Sequence, residues 1–314
     1  MDKNNASDYK KNFEEVKRIS KDRTDYITNL ITVKNPEKIA LGLVGSDARF
    51  ENAIHKDLIV SPLEFILLGH KENASVDNIE LSNELKEHSY SKIDRIDLSN
   101  DDLFYIKING ANRLFSPSRL LDYLHIVGNK DLYDERLENA VNVLLSPKGK
   151  KIVSSSRKQV SDYEANMVTG SQTFGPLSLD HYDLDKGEAI YDPKKKLWSF
   201  KQGPNRFIQF ATTRDILKLV RDGYLDKDGL NELPKNIVDK IDFLEDNGLY
   251  SISKDQINNL ADNYMFFLNL YQNSQKAYLE GDVKLSFDSK EVKERINYLA
   301  NLSRDNAYFV KTKN

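Results

Sequence analysis

Ile39-Ala40-Leu41-Gly42-Leu43-Val44-Gly45-Ser46-Asp47-Ala48-Arg49-Phe50-Glu51 is the stretch on which the reading of this chain turns. Its first six residues are apolar almost without a break, the pattern of a strand buried on both faces inside an α/β layer. The run stops at Gly45-Ser46. A small pair there lets the backbone approach a phosphate, and backbone N–H groups at the next helix start can cradle it. Arg49 is placed to add a charge-assisted hydrogen bond to the same anion. The same residues also suit an ordinary strand-to-helix turn capped by Ser46, and locally the two readings stand side by side.

Outward from this stretch the elements alternate. Residues 8 to 31 predict a helix, with Tyr9, Phe13, Val16, Ile27, Leu30 and Ile31 at helical spacing. A second buried strand is expected from Leu63 to Leu68, closed by Gly69. Two more are expected between about 92 and 108, separated by Ser99-Asn100-Asp101-Asp102. Ser116-Pro117 then reads as a helix start, with Leu120, Leu121, Leu124 and Val127 as its stripe and Gly128 as its stop. A further helix carries Leu137, Val141, Leu144 and Leu145. Residues 154 to 187 show no clear period and read as a long loop, and Asp192-Pro193 reads as the turn of a hairpin.

From about 211 the pattern is wholly helical. Pro234 opens one helix that Gly248 closes, Ser253-Lys254-Asp255-Gln256 is a capping box, and Asp288 caps a last helix. The expected fold class is α/β: a mixed sheet with flanking helices, followed by a C-terminal helical bundle. The expected organisation is an N-terminal helix over 1–34, an α/β domain over 35–210 and a helical domain over 211–314, with the boundary near 205–215.

Composition removes several classes of function. The 314 residues contain no cysteine, which excludes disulfide frameworks, thiolate zinc sites and cysteine nucleophiles. A formal charge of −3 argues against a long nucleic-acid footprint. No apolar run approaches the roughly 20 residues that span a bilayer, and the first residues lack a secretory apolar core, so a cytoplasmic protein without membrane contact is expected. His55, His70, His88, His125 and His181 show no paired ligand spacing, and no Gly-x-Ser-x-Gly elbow is present.

The order of strand, Gly-Ser turn, helix and acidic strand resembles the polymerase-β-like nucleotidyltransferases. The spelling Gly45-Ser46-Asp47-Ala48-Arg49-Phe50-Glu51 is most similar to the PII uridylyltransferase and glutamine synthetase adenylyltransferase branch. Two later blocks continue the likeness: Ser116-Pro117-Ser118-Arg119-Leu120-Leu121-Asp122 with Gly128-Asn129, and Lys201-Gln202-Gly203-Pro204-Asn205-Arg206-Phe207-Ile208-Gln209. Leu260 to Leu268 echoes the helical domain that follows in those families.

The resemblance implies a nucleotide site at Gly45, Ser46 and Arg49, with Lys201 and Arg206 facing the triphosphate. It also implies two strand carboxylates and a third on a later strand, holding Mg²⁺ or Mn²⁺. Here the family's Ser-Asp-x-Asp reads Ser61-Pro62-Leu63-Glu64, so proline stands where one acid is wanted. The other register offers Asp57, but then Ile59 fills the second place. Glu64 and Asp94 are therefore the expected metal ligands and catalytic acids, with Asp57 in reserve and Asp97 as the other choice on the later strand. Arg119 and Asp122, three apart on one expected helix, read as a local ion pair.

The implied function is transfer of a nucleoside monophosphate from an NTP to a hydroxyl of a protein or small molecule. The alternative is a catalytically degenerate protein of the same fold, acting as a nucleotide sensor or protein-binding module, which Pro62 and Ile59 motivate. An effector acting on tRNA ends, delivered to a host cytosol, is a further reading that the negative charge weighs against.

Overall fold

The structure is a computed structural model, and the residues it describes are 3–49, 51, 54–55, 58–59, 63–70, 73, 75–82, 90–98, 105–108, 111–114, 118–169, 182–190, 200–281 and 284–313. The chain is mixed α/β. Helix α1 (Lys3–Thr28) leads into a central four-stranded sheet of β1 (Ile39–Val44), β2 (Leu63–Gly69), β3 (Tyr90–Asp97) and β4 (Leu124–Gly128). Their spatial order is β4-β1-β2-β3, antiparallel at the first two junctions and parallel between β2 and β3.

All six residues of β1 are buried because the sheet is covered on both faces. Alternation sorts its side chains. Ile39, Leu41 and Leu43, with Phe65 and Leu67 of β2, pack with Ile27 at the end of α1 and with Ile31 of the short strand Ile31–Val33. Ala40, Val44, Ile66 and Leu68 face the other way and join the large core that the helices build.

The expected helix from 117 to 127 is instead two elements: a short helix, Ser118–Leu121, and the edge strand β4. Leu120, Leu121, Leu124 and Val127 fit a helical stripe, but Leu124-His125-Ile126-Val127 pairs antiparallel with β1. Gly128 ends this strand rather than a helix. It sits at φ +96°, and a Cβ there would meet the Ile39 carbonyl oxygen at 2.2 Å, so only glycine permits this approach.

Helix α2 (Asp131–Leu145) follows, and Pro147 does not break the chain but opens α3 (Pro147–Thr169). Proline suits a first helical position because the amide it lacks would have no partner there. The long loop expected from 154 is therefore helical as far as Thr169. Its buried stripe, Ile152, Val153, Ser156, Val160 and Met167, includes a serine and lies among lysines, which hides the period. Strand Glu188–Ile190 pairs with Tyr182–Asp183 and with Lys284–Ser286. Residues 191–199 lie outside the described residues, and Phe200 is already helical.

A π-helical turn, Lys201–Asn205, contains Pro204 and runs into α4 (Arg206–Arg221), nearly all of whose residues are buried. Helices α5 (Ile237–Asp246), α6 (Lys254–Leu279) and α7 (Ser289–Asp305) complete the chain. The capping box is present, Gln256 N–H donating to Ser253 Oγ at 3.3 Å and Ser253 N–H to Gln256 Oε1 at 2.9 Å. Asp288 likewise caps α7 through the N–H groups of Lys290 and Glu291. The expected boundary at 205–215 falls inside α4, and residues on both sides of it share one hydrophobic cluster.

Candidate functional site

The Gly45-Ser46 turn leaves β1 as a four-residue helical turn, Gly45–Ala48. Gly45 holds φ +77°, a left-handed conformation costly for any other residue. Antiparallel register sets Glu64 opposite Val44, so its carboxylate arrives beside the turn. A Cβ on Gly45 would lie 3.2 Å from Glu64 Oε2. Arg119, from the short helix, donates from Nη2 to that same oxygen at 3.2 Å. Glu64 remains 43% exposed at its side chain and Arg119 25%, so the pair sits on the accessible rim of the turn.

Arg49 points the other way. It is 3% exposed, and its guanidinium donates to Glu51 at 2.7 Å from Nε and to Asp122 at 2.6 Å from Nη1. Asp122 accepts a second charged donor, Lys240 Nζ of α5, at 2.5 Å. Burial would push the Asp122 carboxyl up, but Lys240 and Arg49 outweigh it and hold the group below its ordinary value. Arg49 with Lys240 thus balances Glu51 with Asp122 inside the protein. The segment is tied further by Asn236, which donates to the Arg49 carbonyl at 2.8 Å, and by Gln272, which donates to the Glu51 carbonyl at 3.0 Å.

The Gly-Ser turn and the Lys201–Arg206 block do meet. Ser46, Arg49, Glu51, Asn205, Gln209 and Tyr264 line one small cavity of about 10 Å³, close to the size of one water. Both amide atoms of Asn205 and Nε2 of Gln209 are buried there without hydrogen-bond partners among the described residues. Buried polar atoms of this kind are normally satisfied by solvent when protein groups do not reach them. Burial first, and then the neighbouring Glu51, raises the Tyr264 phenol well above its ordinary value.

Of the residues expected to form the site, Gly45, Ser46 and Glu64 come together at the turn. Arg49 is adjacent in sequence but is committed to interior carboxylates, not presented to an external phosphate. Arg206 opens α4 and donates to Gln209 Oε1 at 2.7 Å, with its guanidinium 6.0 Å from the Phe210 ring. Lys201 begins the π-helical turn. The backbone of Asp94 pairs with Ile66 in β3, two residues along β2 from Glu64. Asp57 lies outside the described residues. The Arg119–Asp122 pair expected on one helix is replaced by two longer connections, Arg119 to Glu64 and Asp122 to Arg49 and Lys240.

The described side chains do not assemble a divalent-cation site. Among the described residues no group of three or more His, Cys, Asp or Glu side chains could hold a metal ion. Three described acids near the turn are each bonded to a cation, Glu64 to Arg119 and both Glu51 and Asp122 to Arg49. Asn205, Asn236, Lys240 and Tyr264 were not singled out from sequence; nothing in their local pattern marks them, because their roles come from partners far away in the chain. Among the described residues no helix is long and apolar enough to cross a membrane. No protein-family model matches the sequence, and no curated protein matches it either.

Proposed function

We propose that this chain is a nucleotide-binding protein built like the polymerase-β-type nucleotidyltransferases, working as a sensor or protein-binding module rather than through metal-assisted transfer. The single observation that carries the reading is the ion pair between Glu64 and Arg119 at the Gly45 turn. A guanidinium occupies the carboxylate that a catalytic Mg²⁺ would need, and it presents positive charge where an anionic phosphate would sit beside Gly45 and Ser46. The supporting order is β1, Gly-Ser turn, and β2 with Glu64 near its start. The convergence of Ser46 and Asn205 on one cavity adds the later block to the same place.

Titration of the four NTPs into the protein, with Mg²⁺ and with a chelator, tests this. The expected result is binding of at least one nucleotide that survives chelation, without transfer of label from α-labelled NTP. No binding by any nucleotide would remove the reading.

A second reading, transfer of a nucleoside monophosphate to a protein or small-molecule hydroxyl, draws on the exposure of Glu64 and on the backbone position of Asp94 in the neighbouring strand. It would use Glu64 and Asp94, with Asp57, toward Mg²⁺ or Mn²⁺. Label transfer that Glu64→Ala and Asp94→Ala both abolish would establish it over the first.

A further inference from the structure

Helix α6 carries two opposed stripes. Tyr264, Leu268 and Tyr271 turn toward the Gly45-Ser46 cavity. Asn259, Asn263, Phe266, Asn269 and Asn273 turn away from it into an open groove of about 1130 Å³, walled by α1 and α7. From 259 to 273 this stripe runs about 21 Å along the helix axis.

Four asparagines on one stripe are unusual chemistry for a helix surface, because each amide can both donate and accept. They fall in two pairs, Asn259 with Asn263 and Asn269 with Asn273, each pair four residues apart. That step is about 6 Å on a helix, close to the roughly 6.6 Å by which an extended peptide advances every two residues. Part of their capacity is already used. Asn259 and Asn263 donate to the Asp255 and Asn259 carbonyls, the buried Asn263 also accepts from Arg295 at its Oδ1, and Asn269 Oδ1 accepts from Asn12 of α1. The Asn259 oxygen and the Asn269 amide nitrogen retain capacity toward the groove, and Asn273 is exposed.

The groove is also charged. Asp262, Asp288, Glu291 and Glu294 line it against Lys290 and Arg295. Arg295 is not available to a ligand: it lies 4.1 Å from the Phe266 ring centre and donates to Asp262 at 2.9 Å and Glu291 at 3.0 Å. Lys290 lies 3.9 Å from Glu294, and Lys10 at the groove's edge lies 3.4 Å from Asp262. Across all the lining residues, four carboxylates face two cations, so the lining keeps a modest acidic excess. The Tyr298 hydroxyl is buried in the wall beside the Asn259 amide.

We propose that this groove binds an extended, basic segment of a partner protein. The amides of Asn259, Asn269 and Asn273 take its backbone, and Glu294 takes a Lys or Arg side chain on one edge, in exchange for its exposed contact with Lys290. The half-buried rings of Phe266 and Tyr298 supply the apolar contact between those polar points. This inference stands independently of the nucleotide reading.

Selection of the full chain against displayed random octapeptides tests it. The expected binders carry Lys or Arg at alternating positions. A selected peptide made synthetically should lose about tenfold in affinity when Asn259 and Asn273 are both changed to Ala. Both residues are exposed, so circular dichroism of that variant should match the parent. Glu294→Lys should weaken binding further, and added salt should weaken it in the parent. Binders rich in Asp or Glu, binders indifferent to the asparagine substitutions, or an oligosaccharide array that binds while no peptide is selected would each overturn the proposal.

Discussion

Arg119 Nη2 stands 3.2 Å from Glu64 Oε2, and that contact decides how the Gly45 turn presents itself to solvent. A lone carboxylate at this place would invite a cation; a carboxylate already joined to a guanidinium makes a rim that is neutral as a pair and can offer its positive half to an anion. The exposure of both partners keeps the bond adjustable, since exposed ion pairs are worth roughly 0–1 kcal/mol.

Glu64→Gln should leave stability within about 0.5 kcal/mol of the parent, as expected for an exposed pair. It should also remove the negative charge beside Arg119 and strengthen nucleotide binding several-fold in calorimetric titration. If affinity instead falls, and falls only when Mg²⁺ is present, Glu64 is a metal ligand and the transfer reading gains.

Asp122→Asn should be severe. It leaves Arg49 with Glu51 alone and Lys240 buried without its carboxylate. Removing one partner of a buried charge network costs roughly 3–5 kcal/mol. Urea unfolding reads it directly, and a loss below about 1 kcal/mol would mean that the network is not formed as described.

Gly45→Ala places a Cβ in a left-handed conformation and 3.2 Å from Glu64 Oε2. The cost should be about 1–2 kcal/mol. Combining it with Glu64→Ala should recover only part of that, since the crowding is relieved and the backbone strain is not. Full recovery in the double variant would place the whole cost in the side-chain contact.

Stability should also fall as pH rises through 6 because of Asp215. Burial raises its carboxyl to about 6, outweighing Arg214 beside it and the Phe309 N–H that donates to it. A carboxyl whose pKa is higher in the folded state binds its proton more tightly there. Its contribution is complete below its ordinary value of 3.8 and is lost as pH passes 6, by about 3 kcal/mol. Asp215→Asn, which does not titrate, should flatten that part of the profile measured by urea unfolding from pH 4 to 7. A variant profile parallel to the parent's would reject the assignment. Asp122 contributes with the opposite sign, its stabilisation being lost only on acidification.

The strands at 39–44 and 63–69 are legible in sequence because an unbroken apolar run has few other uses at that length. The strand at 124–128 is not, since Leu120, Leu121, Leu124 and Val127 satisfy helical spacing equally well. Pairing with Ile39–Val44 decides the matter, and that is a tertiary fact. Helix 147–169 is hidden for another reason: Ser156 occupies a core position where a hydrophobic residue would have revealed the period. At the site, Gly45, Ser46 and Glu64 are readable as a local pattern. The charge network is not, because Arg49 meets Asp122 across 73 residues and Asp122 meets Lys240 across 118. A sequence shows which charges exist and says little about which of them will neutralise one another.

The bond from Lys240 to Asp122 has a practical corollary for anyone wishing to divide the molecule. A fragment ending at residue 210 would keep Asp122 and Arg49 yet discard Lys240, Asn236 and Gln272, leaving two carboxylates to one guanidinium and two backbone carbonyls without these donors. The bend after β1 is thus fastened from the last third of the polypeptide as well as from its own strands.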